Sequence, residues 1–154
     1  MADLAGAIQY MKDLCNDDSH GYDQASRWGP DYDCSSAVIT ALKYGGGFDT
    51  GGASTTSDMV PALTGCGWQQ LAGSVAKEAG DILITPGSHT AMYVGDGLLA
   101  EFSQNEKGGT TGGQTGDQTG KEAWVHSYYD FPWTYVLRWP EGLNTLKLVR
   151  WIPA

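Results

Sequence analysis

Apolar residues recur at helical spacing in the first part of the chain. Residues 3–15 are predicted to form an amphipathic helix, with one face made of Leu4, Ala7, Ile8, Met11, Leu14 and Cys15. A second helix is predicted over 34–44, because an apolar face there is followed by a run of glycines that would end it. A short third helix is predicted from Ser57 to Thr64, with Ser57 as its N-cap. The segment 16–33 consists mostly of turn formers and is predicted to be a loop.

After Gly80 the pattern changes to short apolar runs separated by turn sequences. Gly95-Asp96-Gly97 is typical of a hairpin turn, and residues 105–121 are predicted to form a long loop rich in glycine and threonine. Strands are predicted near 81–85, 90–94, 98–102, 122–128, 134–139 and 145–151. Helices that precede an antiparallel sheet predict an α+β fold, in which the N-terminal helices pack on a sheet of about five to six strands.

Composition and charge restrict the class of partner. The 154 residues fit one compact domain, 1–154, and with 41% hydrophobic and 18% charged residues the chain is expected to fold. A net charge of -9 argues against nucleic acid or an anionic membrane as the partner. The first residues lack a basic region followed by an apolar run, and no stretch has the length of a transmembrane helix. We therefore expect neither a signal peptide nor a membrane span.

The three cysteines occupy different kinds of position. Their odd number allows at most one disulfide, so the chain is not a disulfide scaffold and a reducing compartment of synthesis is expected. Cys15 lies on the apolar face of the first helix and Cys66 in a Gly-Cys-Gly turn, which favours structural roles for both. Cys34 follows Asp33 at the start of the second helix, where free backbone N–H groups favour a thiolate. Cys34 is therefore the candidate nucleophile, with a buried structural cysteine as the alternative.

A nucleophilic cysteine needs a histidine base on another element. His89 stands directly before the predicted strand 90–94, where the imidazole can be held while one nitrogen stays open. Solvent-facing structural roles account for His20, in a polar loop, and for His126, in a strand. Glu101 lies on the next strand of the predicted hairpin and can come near His89, where a carboxylate would accept the ring N–H. A solvent-facing strand residue is the alternative for Glu101.

Three local patterns resemble the NlpC-type family of cell-wall cysteine hydrolases, which have a papain-like core. They are Tyr32-Asp33-Cys34-Ser35-Ser36, Gly80-Asp81-Ile82-Leu83-Ile84 and the block from His89 to Gly97. The segments 20–34, 105–122 and 127–138 are more closely similar to the bacteriophage peptidoglycan hydrolase branch, and the resemblance covers roughly residues 16–139. In the family a polar residue, commonly histidine, follows the catalytic histidine by about a dozen positions. Here that position is Glu101, and Asn105 is the second candidate.

The resemblance implies hydrolysis of an amide in peptidoglycan. Cys34 would attack the carbonyl with His89 as base, Glu101 would orient the imidazole, and the backbone N–H of Cys34 would help to hold the oxyanion. Further contacts with the oxyanion or the substrate are implied at Tyr22, Asp23, Trp28, Asn105 and Asp117. No metal-binding pattern such as HExxH is present, so no metal or other cofactor is expected.

Three alternatives for the activity stay open at this point. The phage branch implies an N-acetylmuramoyl-L-alanine amidase, whereas the wider family implies an endopeptidase that cuts within the stem peptide. An inactive glycan-binding domain is a rival of another class, against which the retention of both Cys34 and His89 argues. The expected partner is bacterial peptidoglycan, reached with the help of a separate wall-binding domain or chain. Synthesis in the host cytoplasm and action on the cell wall are expected.

Overall fold

Helices come first and strands second in the computed structural model, which describes residues 2–104, 107–111 and 113–140. The helices of this part are α1 (Leu4–Asn16), α2 (Cys34–Thr40), which continues as a π-helical turn (Ala41–Gly45), and α3 (Met59–Thr64). The strands are β1 (Gln69–Ala72), β2 (Ile82–Thr85), β3 (His89–Gly95), β4 (Leu98–Phe102), β5 (Ala123–Ser127) and β6 (Tyr135–Arg138). Among the described residues no helix combines the length and apolarity needed to cross a bilayer.

Side-chain caps determine where the first two helices begin. The carboxylate of Asp3 accepts a hydrogen bond from the Gly6 N–H at 3.0 Å at the start of α1. Asp33 and Ser36 form a capping box at the start of α2, in which each side chain binds the backbone N–H of the other residue. All residues of α2 are buried, so the cap fixes the first turn of a helix that has little freedom to move.

The third helix begins later than predicted. Its N-cap is Asp58 and not Ser57, and the helix proper begins at Met59. The Asp58 carboxylate accepts the N–H groups of Ser54 and Thr55 at 2.9 Å each, which closes the preceding turn. Because that turn uses the residues up to Asp58, the helix starts only after it.

The sheet is antiparallel throughout, with the strand order β1-β6-β2-β3-β4-β5. Strand β1 was not predicted, and the strand predicted near 145–151 lies outside the described residues. Both faces are covered. The helices pack on one face, against Ile82, Ile84 and Met92 among others, while the other face holds a second apolar cluster of Leu83, Ala91, Leu99, Trp133 and Val136.

The β3–β4 hairpin closes at the predicted turn. Gly95, Asp96 and Gly97 have φ values of 95°, 55° and 73°, a left-handed conformation that glycine adopts without strain. Tyr93 pairs with Leu99 across the hairpin. Since side chains alternate along a strand, His89 and Glu101 point to the same face as this pair.

Two long loops are joined to each other by buried carboxylates. Asp31 accepts the N–H of Gly21 at 2.8 Å and the N–H of Gly116 at 3.1 Å. Glu122 accepts the N–H of Tyr22 at 3.2 Å and the N–H of Gln118 at 2.8 Å. The loop 17–33 is therefore fixed to the glycine-rich loop 113–122 by hydrogen bonds between residues that lie 85 and 100 positions apart in the chain.

Candidate active site

Cys34 occupies the first position of α2 and is 5% exposed. The guanidinium of Arg27 lies beside this helix start, because its Nε donates to Asp33 Oδ2 at 2.7 Å. Another nitrogen of Arg27 donates to Ser35 Oγ at 3.0 Å and to the carbonyl of Ser54. The backbone N–H groups of the first turn of α2 and the guanidinium of Arg27 therefore both lie at the end of the helix that carries Cys34.

His89 lies between Cys34 and Glu101 at the start of β3. Its Nε2 lies 2.6 Å from Glu101 Oε1, which leaves Nδ1 for the Cys34 thiol. Burial lowers the pKa of His89, but the hydrogen bonds and charges of Cys34 and Glu101 outweigh burial and raise this pKa to about 9. The ring is therefore protonated at neutral pH. Trp133 stacks on it with ring centroids 5.8 Å apart.

Glu101 is 2% exposed and accepts hydrogen bonds from three side chains. His89 Nε2 lies 2.6 Å from Oε1, His126 Nε2 lies 2.6 Å from Oε2, and the Tyr129 hydroxyl donates to Oε1 at 3.1 Å. Burial raises the pKa of Glu101, but the bonds and charges of the two histidines hold it below its ordinary value. The carboxylate is therefore ionised at neutral pH.

His126 does not face solvent as the sequence suggested. Strand β5 pairs with β4 so that Trp124 is opposite Glu101 and His126 is opposite Leu99. Glu101 and His126 are therefore diagonal neighbours on one face of the sheet, within reach of long side chains. Strand β5 is thus the third strand that contributes to the site, after β3 with His89 and β4 with Glu101.

Tyr22 lies beside the candidate nucleophile, Cys34. Its hydroxyl interacts with the Cys34 side chain and accepts a hydrogen bond from Gln24 Nε2 at 3.1 Å. Burial and then the charge of Cys34 raise the pKa of Tyr22, so the phenol stays protonated and can donate a hydrogen bond. The backbone of Tyr22 is fixed by Glu122, which holds this hydroxyl in position.

A cleft of 350 Å³ gives access to the thiol. It is lined by Gln24, Arg27, Asp33, Cys34, Ser35, Thr55, Thr56, Gly87 and Ser88. A larger cleft of 490 Å³ lies next to it and contains the exposed rings of Trp28 and Tyr44. Arg27 lies between the two clefts, because it lines the first and binds Ser54, which lines the second. The chemistry belongs to the smaller cleft, since only that one includes Cys34.

The other predicted contact residues lie elsewhere or are occupied. Trp28 lines the larger cleft and is 54% exposed. The carboxylate of Asp23 accepts the N–H of Ala25 at 2.8 Å, and that of Asp117 accepts the N–H of Gly120 at 2.7 Å. Both carboxylates therefore shape their own loops and do not line the Cys34 cleft. Asn105 lies outside the described residues.

Sequence reasoning missed Arg27, His126 and Tyr129. Neither Arg27 nor Tyr129 belongs to a spacing pattern that connects it with Cys34 or Glu101. For His126, the alternation within the predicted strand 122–128 was a usable signal, but it does not identify the neighbouring strand. Together the residues form an ordered series of thiol, imidazolium and carboxylate, which can deliver a nucleophile to a carbonyl carbon and a proton to the leaving group bonded to it.

Comparison with known families gives two matches along the chain. The profile of bacteriophage peptidoglycan hydrolases matches residues 5–120, and that of an endolysin-like domain matches residues 99–153. The search of curated proteins found no match.

Solved structures of the NlpC/p60 type are similar in fold. The NlpC/p60 domain of the peptidoglycan hydrolase SagA is 21% identical with a TM-score of 0.55, and the alignment covers 88% of this chain and 97% of that chain. The peptidoglycan hydrolase RipB from Mycobacterium tuberculosis is 18% identical, with a TM-score of 0.54 and coverages of 88% and 65%. The P60 domain of an antigen from M. avium subspecies paratuberculosis is 17% identical, with a TM-score of 0.51 and coverages of 86% and 93%. The predicted α+β fold of the NlpC type is confirmed.

Proposed function

Since this chain belongs to the bacteriophage peptidoglycan hydrolase family, we propose that it cleaves an amide bond of peptidoglycan by a cysteine–histidine mechanism. The bond we propose is the one between N-acetylmuramic acid and L-alanine. The observation that supports the mechanism is the position of His89 between Cys34 and the ionised Glu101. That arrangement couples the base both to the nucleophile and to the group that orients it.

The first half of the reaction forms an acyl-enzyme. Sγ of Cys34 attacks the carbonyl carbon, and the oxyanion that forms accepts hydrogen bonds from the backbone N–H of Cys34 and the Tyr22 hydroxyl. When the C–N bond breaks, the proton on His89 Nδ1 passes to the leaving amine nitrogen. The stem peptide leaves with a free amino group, and the muramyl carbonyl stays on Cys34 as a thioester.

The second half of the reaction frees the enzyme. His89, now neutral, takes a proton from water, and the hydroxide that results attacks the thioester carbonyl. The C–S bond breaks, the muramyl group leaves as a carboxylic acid, and the thiolate–imidazolium pair is restored. Glu101 stays ionised throughout and stabilises each imidazolium form of His89.

The two neighbouring clefts suit different parts of the polymer. We assign the Cys34 cleft to the scissile amide and the larger cleft to the glycan, because Trp28 and Tyr44 expose aromatic faces on which sugar rings can stack. A net charge of -9 gives the chain no attraction to an anionic wall. We therefore propose that a separate wall-binding domain or chain supplies the attachment.

The identity of the bond is tested by mass spectrometry of purified peptidoglycan, from a Gram-positive bacterium with a known stem peptide, after digestion with this protein. Free stem peptides that begin at L-alanine are expected. Fragments cut within the stem would instead identify an endopeptidase. No product from several wall types would overturn the proposal in favour of a glycan-binding domain.

The role of the thiol is tested by substitution. We expect Cys34→Ala to lose all lytic activity and to keep the fold. Cys66→Ala is the matched control, because the Cys66 thiol contacts Asp49 and none of the site residues. Wild-type activity after complete alkylation of Cys34 would refute the mechanism. A metal chelator is expected to leave the activity unchanged. A loss of activity that zinc restores would also refute the cysteine–histidine mechanism.

A further inference from the structure

A second histidine occupies the side of Glu101 that faces away from His89. His126 Nε2 lies 2.6 Å from Glu101 Oε2, and the imidazole is 16% exposed. The ring is held between Trp124, whose centroid is 4.1 Å away, and Tyr129, whose centroid is 5.7 Å away. None of the steps described above uses this residue.

We infer that His126 is a positioning residue of the catalytic machinery, which donates a hydrogen bond to Glu101 Oε2 and thereby directs Oε1 to His89. The inference rests on the proposed cysteine–histidine mechanism. An ionised carboxylate only accepts hydrogen bonds, so each imidazole must present an N–H to it. His89 and His126 therefore both donate through Nε2, one to each carboxylate oxygen.

Glu101 needs such a partner because of its own geometry. The terminal torsion of a glutamate is broad, so a single bond to His89 leaves the carboxylate plane free to rotate. Two donors on opposite oxygens fix that plane, and the Tyr129 hydroxyl at 3.1 Å adds a third. Because Glu101 is only 2% exposed, water has little access to the carboxylate and cannot readily replace a hydrogen-bond donor that is lost.

The groups that face Glu101 define the expected response to pH. His89 from β3, His126 from β5 and Tyr129 after β5 contact the carboxylate. From α1 the Cys15 thiol approaches the Glu101 carbonyl at 3.8 Å, and burial raises the pKa of Cys15, so this thiol stays neutral. Cys34 on α2 acts through His89. Loss of the His126 donor should raise the pKa of Glu101, so the acid limb of activity should move to higher pH.

Two substitutions separate the hydrogen bond that His126 donates to Glu101 from the packing of its ring. His126→Gln keeps an N–H donor near the position of Nε2 and removes the ring, whereas His126→Phe keeps the ring between Trp124 and Tyr129 and removes the donor. We expect the Gln variant to keep kcat within about threefold and the Phe variant to lose about tenfold or more. In the Phe variant the acid limb should rise by about one pH unit, the usual effect of one hydrogen bond to a carboxylate. Thermal unfolding of each variant checks the fold.

A readout without substrate keeps this inference distinct from the proposed function. The pH dependence of Cys34 alkylation by iodoacetamide, followed by mass spectrometry of the Cys34 peptide, reports the thiolate–imidazolium pair. We expect its midpoint to rise in the Phe variant and to stay near wild type in the Gln variant. An unshifted midpoint in His126→Phe, or a larger loss in the Gln than in the Phe variant, would overturn the inference. If His126→Phe does not fold, His126→Asn replaces it, because its amide is too short to reach Oε2.

Discussion

Replacement of Glu101 by glutamine tests how much the carboxylate contributes to the protonation of His89. Glutamine keeps the shape of the side chain and an oxygen that can accept the Nε2–H of His89, but it removes the negative charge. The imidazolium then loses a charge partner 2.6 Å away, while the hydrogen bond can remain. The substitution therefore separates the effect of the negative charge of Glu101 on the His89 imidazolium from the effect of the hydrogen bond that orients the ring.

The size of the effect follows from the pKa of His89, which is about 9 against an ordinary 6.5. This difference corresponds to about 3 kcal/mol in favour of the imidazolium, supplied by Cys34 and Glu101 against the cost of burial. If Glu101 supplies a third to a half of it, Glu101→Gln should cost about 1–1.5 kcal/mol, or about tenfold in kcat/KM. The basic limb of the activity profile should move to lower pH.

The same substitution has a consequence for stability. The folded pKa of His89 lies above the unfolded value, so its contribution is fully present below pH 6.5 and is lost as the pH rises through 9. The free energy of unfolding of the wild type should therefore fall across this window. In Glu101→Gln the fall should be smaller, because the pKa of His89 is raised less.

The assay combines peptidoglycan hydrolysis over this pH range, NMR titration of His89 and denaturant unfolding at both ends of the window. Glu78→Gln makes the same chemical change at an exposed carboxylate, which pairs with Arg138 at 3.0 Å, and serves as the control. If Glu101→Gln leaves the His89 titration and kcat/KM as in the wild type, Glu101 is not the electrostatic partner that the geometry suggests.

Four other substitutions or measurements test further parts of the structure. Arg27→Ala should lower the free energy of unfolding by about 3 kcal/mol, because the buried Asp33 carboxylate loses its cation. An unchanged midpoint of denaturant unfolding would contradict this. Gly21→Ala should lower the melting temperature, since an added Cβ would lie 2.8 Å from the carbonyl carbon of Gly116. Trp28→Ala should slow hydrolysis of polymeric peptidoglycan but not of a short soluble muropeptide, and equal effects on both would remove the glycan assignment. Iodoacetamide should label Cys34 before Cys15, because Cys34 lines an open cleft whereas burial raises the pKa of Cys15, and peptide mass spectrometry that finds equal rates would contradict this.

Local signals accounted for most of the fold. Periodicity found α1, the capped start of α2 and five of the six strands, β2 to β6, because these elements bury one regular face. Strand β1 escaped detection because Gln69–Ala72 is mostly exposed and has no apolar alternation. The cap of α3 was misplaced by one residue, because Ser57 and Asp58 are both good caps and only the preceding turn decides between them.

The site was predictable where it depends on adjacent strands. His89 and Glu101 belong to one hairpin, and its glycine turn fixes their register from local sequence alone. His126 lies on β5, which is joined to β4 by residues 103–122, and no tight turn sets the pairing of these strands. Arg27 reaches Asp33 across the loop 17–33, in which no helix or strand sets the distance between the two side chains. The site residues that could not be predicted from the sequence are therefore those that long loops, and not tight turns, bring to the site.

The pairing of the two long loops through Asp31 and Glu122 has a consequence for protein engineering. Tyr22 stands at the nucleophile, but the group that binds its backbone comes from a segment 100 residues later in the chain. A chimera that takes residues 113–122 from a relative would bring a carboxylate and a turn shaped for a different partner loop. We expect functional exchange between relatives only when residues 17–33 and 113–122 are transplanted as one unit.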